Sequence, residues 1–214
     1  MKRRATRGVL NSSLARRSVC LIKKDHLFFL EGKKTNLRPF SKEDVPLVTQ
    51  WINDPEIREF VSIVFPQTEK QEEEEWYNKI GKDNKNITLG IETKDDKLIG
   101  IMGIHGIDWV SRVGTTGAII GDKDYWSKGY GTDAKMHLLD YAFNTLGLYK
   151  ICSTVIAFNK RSLQYSLHCG YKIEGRRRKH FFKRGRRWDL IDLGLFKSEW
   201  LPIWKIYQKT GKVR

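Results

Sequence analysis

Short runs of apolar residues make up most of the chain, and a few longer segments repeat apolar residues at helical spacing. The strand-like runs read HLFFL, NITLGIET, LIGIMGIHGI, TTGAIIG and YKICSTVIAF, and a last hairpin spans YKIEGRRRKHFF and RRWDLIDLGLFK. Helical spacing follows the capping box SKED at 41–44 and recurs in TDAKMHLLDYAFNTLG and KRSLQYSLHC. The pattern therefore predicts an α+β fold in which strands dominate and helices are inserted between them.

The formal net charge of +15 is concentrated in two segments of the 214-residue chain. Residues 1–25 carry a surplus of 7 positive charges and residues 175–188, GRRRKHFFKRGRRW, a surplus of 8, so the remaining residues are neutral overall. Two local basic patches suit a polyanionic partner such as RNA, although basic residues also protect exposed strand edges from pairing. We expect a flexible basic extension at 1–25, one domain at 26–204 and a C-terminal tail at 205–214.

Cysteine and histidine usage argues against a disulfide framework and against a metal site. The three cysteines form no CxxC pair, and the five histidines have no HExxH or CxxC companion. No apolar run approaches the roughly 18 residues that a membrane span requires. We therefore expect a cytoplasmic protein without bound metal, while the Arg-rich, Ser-containing segment 1–25 also loosely fits an organelle transit peptide.

A glycine motif, DKDYWSKGYGTDA at 122–134, precedes a predicted helix and is suited to holding phosphate on bare backbone. A P-loop is excluded because Thr132 and Asp133 follow Gly131 where Lys and Ser or Thr are required. The dinucleotide fingerprint GxGxxA is nominally present, but a polar loop precedes it and the next strand ends in IAF without the ribose-binding acid. Coenzyme A is the remaining candidate.

The segment GAIIGDKDYWSKGYGTDA resembles the acetyl-CoA-binding motif of the GCN5-related N-acetyltransferases, and NKRSLQYSLHCGYKIEG is similar to the next motif of that superfamily. The order of LRPF, HGIDW, YWSKGYGTDA and GLFKSEW between residues 27 and 200 resembles the RimJ/RimL-like branch, which includes ribosomal-protein N-terminal acetyltransferases. The resemblance implies a mixed, mostly antiparallel sheet that splays at the acetyl-CoA site and is flanked by helices. Acetyl-CoA would be the cosubstrate.

The resemblance also implies which residues contact acetyl-CoA. The strand before the motif would pair with the pantetheine arm, the loop and helix start would wrap the pyrophosphate, and an asparagine would bond to the pantetheine. Trp126 stands where the superfamily commonly has Arg or Gln, and Ser127 stands where the branch often has Gly. The predicted cofactor-binding residues are Ile119, Ile120, Gly121, Trp126, Ser127, Lys128, Gly129, Tyr130, Gly131, Thr132 and Asn159.

Acetyl transfer to an amine needs a proton acceptor for the amine and a proton donor for the departing thiolate. Ser162 resembles the donor of the branch, and Tyr165 is a second candidate that stands one residue before the position of the tyrosine in relatives. Relatives carry a glutamate on the strand before the motif, but this chain reads TTG at 115–117. Asp108 or His105 is expected to substitute as the base, directly or through water.

The missing glutamate bears on the acceptor, because a weak base favours an amine that is often neutral. An α-amine with a pKa of about 7.7 to 8.0 is neutral more often than a lysine-like amine at about 10.4. We therefore expect a protein N-terminus, of the ribosomal-protein type, as acceptor, with RNA or ribosome contact through 1–25 and 175–188. One alternative is a polyamine or aminoglycoside attracted by Glu72 to Glu75, and another is a silent RNA-binding module. An oligomer is compatible with all three hypotheses.

Overall fold

A computed structural model describes residues 28–61, 65–70 and 84–213. The predicted basic extension at 1–25 and the acidic run Glu72 to Glu75 lie outside these residues. In the described part, no helix is long and apolar enough to cross a membrane. No group of three or more potential metal ligands occurs there either.

One sheet of eight strands carries the fold, in the order β1-β2-β3-β4-β5-β6-β8-β7. The strands are β1 (Leu30–Glu31), β2 (Thr35–Pro39), β3 (Ile87–Thr93), β4 (Leu98–Asp108), β5 (Val113–Ile120), β6 (Lys150–Ile156), β7 (Lys172–Lys183) and β8 (Arg186–Phe196). All neighbouring strands are antiparallel except β5 and β6, which are parallel. The sheet is therefore mixed and mostly antiparallel, as expected.

The sheet splays because the parallel pairing of β5 with β6 is short. Strands β5 and β6 pair only from Val113 to Thr115 and from Lys150 to Cys152. Beyond Thr115 the two strands no longer form a ladder, although Ser153 Oγ still donates to the carbonyl of Thr116 at 3.3 Å. The second halves of both strands therefore leave a gap in the middle of the sheet.

Helices cover both faces of the sheet. Within the described residues they include α1 (Val45–Asn53), α2 (Pro55–Arg58), α3 (Tyr130–Asp140), α4 (Lys160–His168) and α5 (Lys197–Thr210). Successive strand residues point to opposite faces. Accordingly Ile101 packs in the cluster around α1, whereas the adjacent Met102 packs in the larger cluster that includes α3 and α5.

The C-terminal helix continues beyond the predicted domain boundary at residue 204. Helix α5 ends at Thr210, and Tyr207 is buried with its hydroxyl donating to the carboxylate of Asp133. The same carboxylate accepts from the backbone N–H and the hydroxyl of Thr35, at 2.9 and 2.7 Å. Residues 205–210 therefore belong to the domain, because a buried carboxylate ties α5 to α3 and β2.

Candidate active site

A cavity of about 1320 Å³ occupies the gap between β5 and β6. The even-numbered face of β5 turns toward α3, and the odd-numbered face turns toward α1, where Gly121 packs against the ring of Trp51. A Cβ added at Gly121 would lie 1.8 Å from that ring, so only glycine fits. Because the cavity contacts residues from both faces, ligands bound on opposite faces of the sheet can meet there.

The glycine motif forms the entrance to α3, on one side of the cavity. Gly129 is the N-cap with a φ of +87°, and the N–H of Asp133 donates to its carbonyl at 3.0 Å. The N–H groups of the preceding turn therefore lack intrahelical acceptors and can face an anion. Lys34 Nζ donates to the carbonyl of Lys128 at 2.9 Å, which brings a second lysine to this loop.

Ser127 also adopts the left-handed backbone region, with a φ of +59°. This conformation costs a residue with a Cβ about 1–2 kcal/mol relative to glycine. It gives a physical reason why a glycine is suited to this position. Ser127 nevertheless lines the cavity.

The backbone groups of β5 that face the gap lie one position away from those predicted to pair with the pantetheine. The N–H of Gly121 donates to the carbonyl of Ile99 at 2.9 Å and therefore faces β4. Since backbone groups alternate in direction along an antiparallel strand, Ile119 also faces β4, while Ala118 and Ile120 face the gap. The register therefore does not fit the predicted pantetheine pairing of Ile119 and Gly121, whereas the backbone groups of Ala118 and Ile120 face the gap.

Most of the predicted cofactor residues line the cavity. They are Ile119, Ile120, Trp126, Ser127, Gly129, Gly131, Thr132 and Asn159. The lining does not include Gly121, Lys128 or Tyr130. Tyr130 instead packs edge-to-face on Tyr125 at 4.9 Å between ring centres, which stabilises the loop from behind.

Trp126 supports the cavity wall. Its indole N–H donates to the carbonyl of Ile120 at 2.7 Å, and the guanidinium of Arg161 stacks 4.0 Å from its ring centre. The indole N–H is therefore hydrogen-bonded within the protein, and the ring faces the cavity. Arg161 also lines the cavity, although the sequence did not single it out.

Asn159 and Ser162 meet at the start of α4. Asn159 caps this helix by accepting from the backbone N–H of Ser162 at 3.0 Å, and both residues line the cavity. Asn159 is only 8% exposed. The capping function and a ligand contact are compatible, because the cap uses Oδ1 and leaves the amide Nδ2 for another partner.

Tyr165 faces the cavity, one helical turn beyond Ser162. Its hydroxyl is buried and has no hydrogen-bond partner among the described residues. Burial raises the pKa of this phenol well above its usual value, so it is protonated at neutral pH. A buried O–H without an acceptor costs about 1–3 kcal/mol. Its place in the cavity provides a position where a ligand can supply the acceptor.

Of the two predicted bases, His105 lines the cavity and Asp108 does not. The Asp108 carboxylate lies exposed in the β4–β5 turn, where it accepts from the backbone N–H groups of Val110 and Ser111 at 2.9 and 3.0 Å. Asp108 therefore stabilises the turn and is too poorly placed to act on an amine in the cavity. The structure corrects this assignment.

His105 lies on the α1 face of the sheet. A Cβ added at Gly117 would lie 3.6 Å from the His105 imidazole, an ordinary van der Waals distance, so the two residues are neighbours on this face. Desolvation, reinforced by the charge on Lys135, lowers the pKa of His105 below 6.5. The imidazole is consequently neutral at pH 7 and able to accept a proton.

Lys135 on α3 is a cavity residue that the sequence did not single out. It is 1% exposed, and its Nζ donates to Thr116 Oγ1 at 2.8 Å. A signal was present, because Lys135 shares the helical spacing i, i+3, i+4, i+7 with the buried Leu138, Leu139 and Ala142. A lysine within an apolar stripe is unusual, since lysine is almost never fully buried unless paired.

The family model of the acetyltransferase (GNAT) domain matches residues 34–172, which contain most of the cavity lining, the glycine motif and the start of β7. The chain belongs to the GNAT acetyltransferases. It is an acetyl-CoA-dependent N-acetyltransferase of this family. The fold and the acetyl-CoA cosubstrate are confirmed, whereas the RimJ/RimL-like branch stays a prediction.

Several proteins of similar sequence or structure are named as N-acetyltransferases. A spermidine N(1)-acetyltransferase of Vibrio cholerae is 28% identical over 172 residues, which cover 79% of this chain and 97% of that protein. The putative ribosomal N-acetyltransferase YdaF of Bacillus subtilis is 31% identical over 106 residues, covering 50% and 57%. A crystal structure of the Vibrio cholerae spermidine N-acetyltransferase with CoA and spermine has a TM-score of 0.74 at 24% identity, covering 78% and 98%.

The basic segment 175–188 forms most of the β7–β8 hairpin, and several of its charges have partners. Arg177 forms an ion pair with Asp192 at 2.6 Å, and Arg176 forms one with Asp189 at 3.2 Å. Lys183 Nζ donates to the carbonyl of Val61 at 2.7 Å. These residues stabilise the hairpin, so only part of the predicted basic patch is available to a polyanion.

Proposed function

We propose that this chain acetylates the primary amine of a small molecule, with polyamines as the first acceptor class. The observation that carries the proposal is the cavity through the splayed sheet, with a neutral imidazole at one face and a buried phenol at the other. The similarity to spermidine N-acetyltransferases favours this acceptor over the protein N-terminus that the sequence suggests.

His105 is the proposed proton acceptor for the amine. Its low pKa keeps it neutral, so it can take the proton from the attacking nitrogen directly or through water. The amine must approach from the α1 face, where the imidazole lies. A base of low pKa is effective only for the neutral form of the amine, so the rate is expected to rise as the acceptor loses its proton.

Tyr165 is the proposed proton donor to the departing thiolate. Its hydroxyl is buried in the cavity wall and protonated, which is the state that a donor requires. Ser162 lies nearer the start of α4 and supports the same wall. We therefore assign proton donation to Tyr165 and ligand contact to Ser162.

The acceptor end of the cavity suits an alkyl chain. Phe40, Ile57 and Phe60 line it near α1 and α2, and Phe181 lines it from β7. Methylene groups of an alkylamine would replace water against these side chains, which stabilises binding by about 0.8 kcal/mol per buried methylene. None of the described lining residues is acidic, and Glu72 to Glu75, which could attract a polycation, lie outside the described residues.

An acceptor screen tests the proposal. Release of CoA thiol would be measured with acetyl-CoA and a panel of spermidine, spermine, aminoglycosides, simple alkylamines and peptides with free N-termini. Turnover with small amines and little or none with peptides is expected. Turnover with peptides alone would contradict the proposed acceptor, and the absence of acetyl-CoA binding in calorimetry would contradict the assignment of the cavity.

A further inference from the structure

The buried amine of Lys135 has no carboxylate partner in the part of the chain that the structure describes. Its one hydrogen bond goes to Thr116 Oγ1, and this hydroxyl is also 2.7 Å from the hydroxyl of Tyr171. The amine lies 5.4 Å from the ring centre of Tyr165 and 5.5 Å from that of Tyr171. Three donor hydrogens therefore have one neutral acceptor and two aromatic neighbours.

The titratable groups that face Lys135 do not balance its charge. Burial raises the pKa of Tyr165 and Tyr171, and it raises the pKa of Cys169 to about 12. All three are neutral at pH 7. Desolvation lowers the pKa of Lys135 to about 8, which leaves most of the amine protonated at pH 7. The cavity thus contains an ammonium group with unfilled hydrogen-bonding capacity.

The amine of Lys135 lies beside the point where the sheet opens. Its acceptor, Thr116, is the first residue of β5 beyond the parallel pairing with β6. The buried, unpartnered hydroxyl of Tyr165 belongs to the same cavity wall. A cation and a free O–H donor therefore converge at the point where the sheet opens.

We propose that Lys135 is an electrostatic partner for the CoA thiolate, acting together with Tyr165 at the splay of the sheet. The inference rests on the proposed function. In the reaction, the amine lone pair forms the C–N bond, the C–S bond breaks, and its electron pair leaves on sulfur. The proton of the acylated nitrogen passes to His105 or water, and the thiolate takes a proton from Tyr165. The phenolate left at Tyr165 regains a proton from water when CoA leaves. Lys135 offsets the negative charge on sulfur before that proton arrives.

Binding of CoA and of desulfo-CoA, which lacks the sulfur, isolates this interaction. Calorimetry at pH 7.5, where most of the Lys135 amine is still protonated, would compare the wild type with Lys135→Met, which preserves side-chain length without charge. Lys205→Met removes an exposed lysine of α5 and is the matched control. The wild type and the control are expected to bind CoA about tenfold more tightly than desulfo-CoA, which at pH 7.5 corresponds to a bound thiol whose pKa is lowered by about two units from about 8.5. Lys135→Met should lose the preference and bind desulfo-CoA within about twofold of the wild type.

A second measurement requires only the wild type. The ultraviolet absorbance of the thiolate would be followed against pH for free and bound CoA, and the bound thiol is expected to titrate at the lower pH. An unchanged or higher bound pKa would overturn the inference, as would a CoA preference that survives in Lys135→Met. If the wild type binds neither CoA nor desulfo-CoA, the proposed function fails and takes this inference with it.

Discussion

Replacing Lys135 with Met should stabilise the folded protein. Burial lowers the pKa of Lys135 from 10.5 to about 8, because the ammonium is desolvated without an opposite charge. Each pKa unit corresponds to about 1.4 kcal/mol, so the charged side chain destabilises the native state by about 3 kcal/mol at neutral pH. Loss of the hydrogen bond to Thr116 offsets about 1 kcal/mol of the gain. A net gain of about 2 kcal/mol is expected.

The pH dependence distinguishes this cause from better packing. Between about pH 8 and pH 10.5, the unfolded chain binds the lysine proton and the folded chain does not, so wild-type stability rises with pH in this window. The variant lacks this contribution. Its advantage over the wild type should therefore be largest below pH 8 and should disappear above about pH 10.5.

Urea unfolding of the wild type and both lysine variants at pH 7.5 and pH 10.5 measures the difference directly. Lys205→Met should change the free energy of unfolding by no more than about 0.5 kcal/mol, as surface substitutions usually do. A Lys135→Met that is destabilised at pH 7.5, or a gain of equal size at both pH values, would refute the reasoning about the buried charge.

Four further substitutions test the site and the loops that shape it. Tyr165→Phe should lower kcat by about 10²-fold with little change in KM, whereas a wild-type kcat in steady-state assays would argue against proton donation. His105→Gln should lower kcat/KM by about 10²-fold and remove the loss of activity below pH 6.5, which a pH profile detects. Ser127→Gly should raise the free energy of unfolding by about 1 kcal/mol in urea, because it relieves a φ of +59°. Gly121→Ala should lower the melting temperature markedly, since its Cβ would overlap the ring of Trp51.

The parts of the site that depend on local sequence could be predicted. The glycine motif could be recognised as a helix start suited to phosphate, because the left-handed N-cap at Gly129 and the helix that follows arise from neighbouring residues. The splay was predicted by family resemblance and has a simple physical expression in the three-residue pairing of β5 with β6. Asn159 likewise caps the helix that begins at the next residue.

The parts that depend on pairing between distant strands could not be predicted. Which backbone groups of β5 face the gap depends on its register with β4, and the bond from Gly121 to Ile99 fixes that register. The sequence also placed Asp108 near the chemistry, although its carboxylate is used in the turn two to three residues later. The sequence named His105 and Asp108 together as possible bases, and only the structure shows that His105 lines the cavity whereas Asp108 does not.

The charge arrangement links the missing glutamate to the buried lysine. Thr116, in the TTG segment where relatives carry a carboxylate, bonds to the ammonium of Lys135. A cation at this position lowers the pKa of His105 and makes it a weaker base, but it also favours negative charge on the departing sulfur. The site thus shifts electrostatic stabilisation from deprotonating the amine toward releasing the thiolate. Because only a small fraction of a polyamine nitrogen is neutral at pH 7, turnover of such an acceptor should rise steeply with pH.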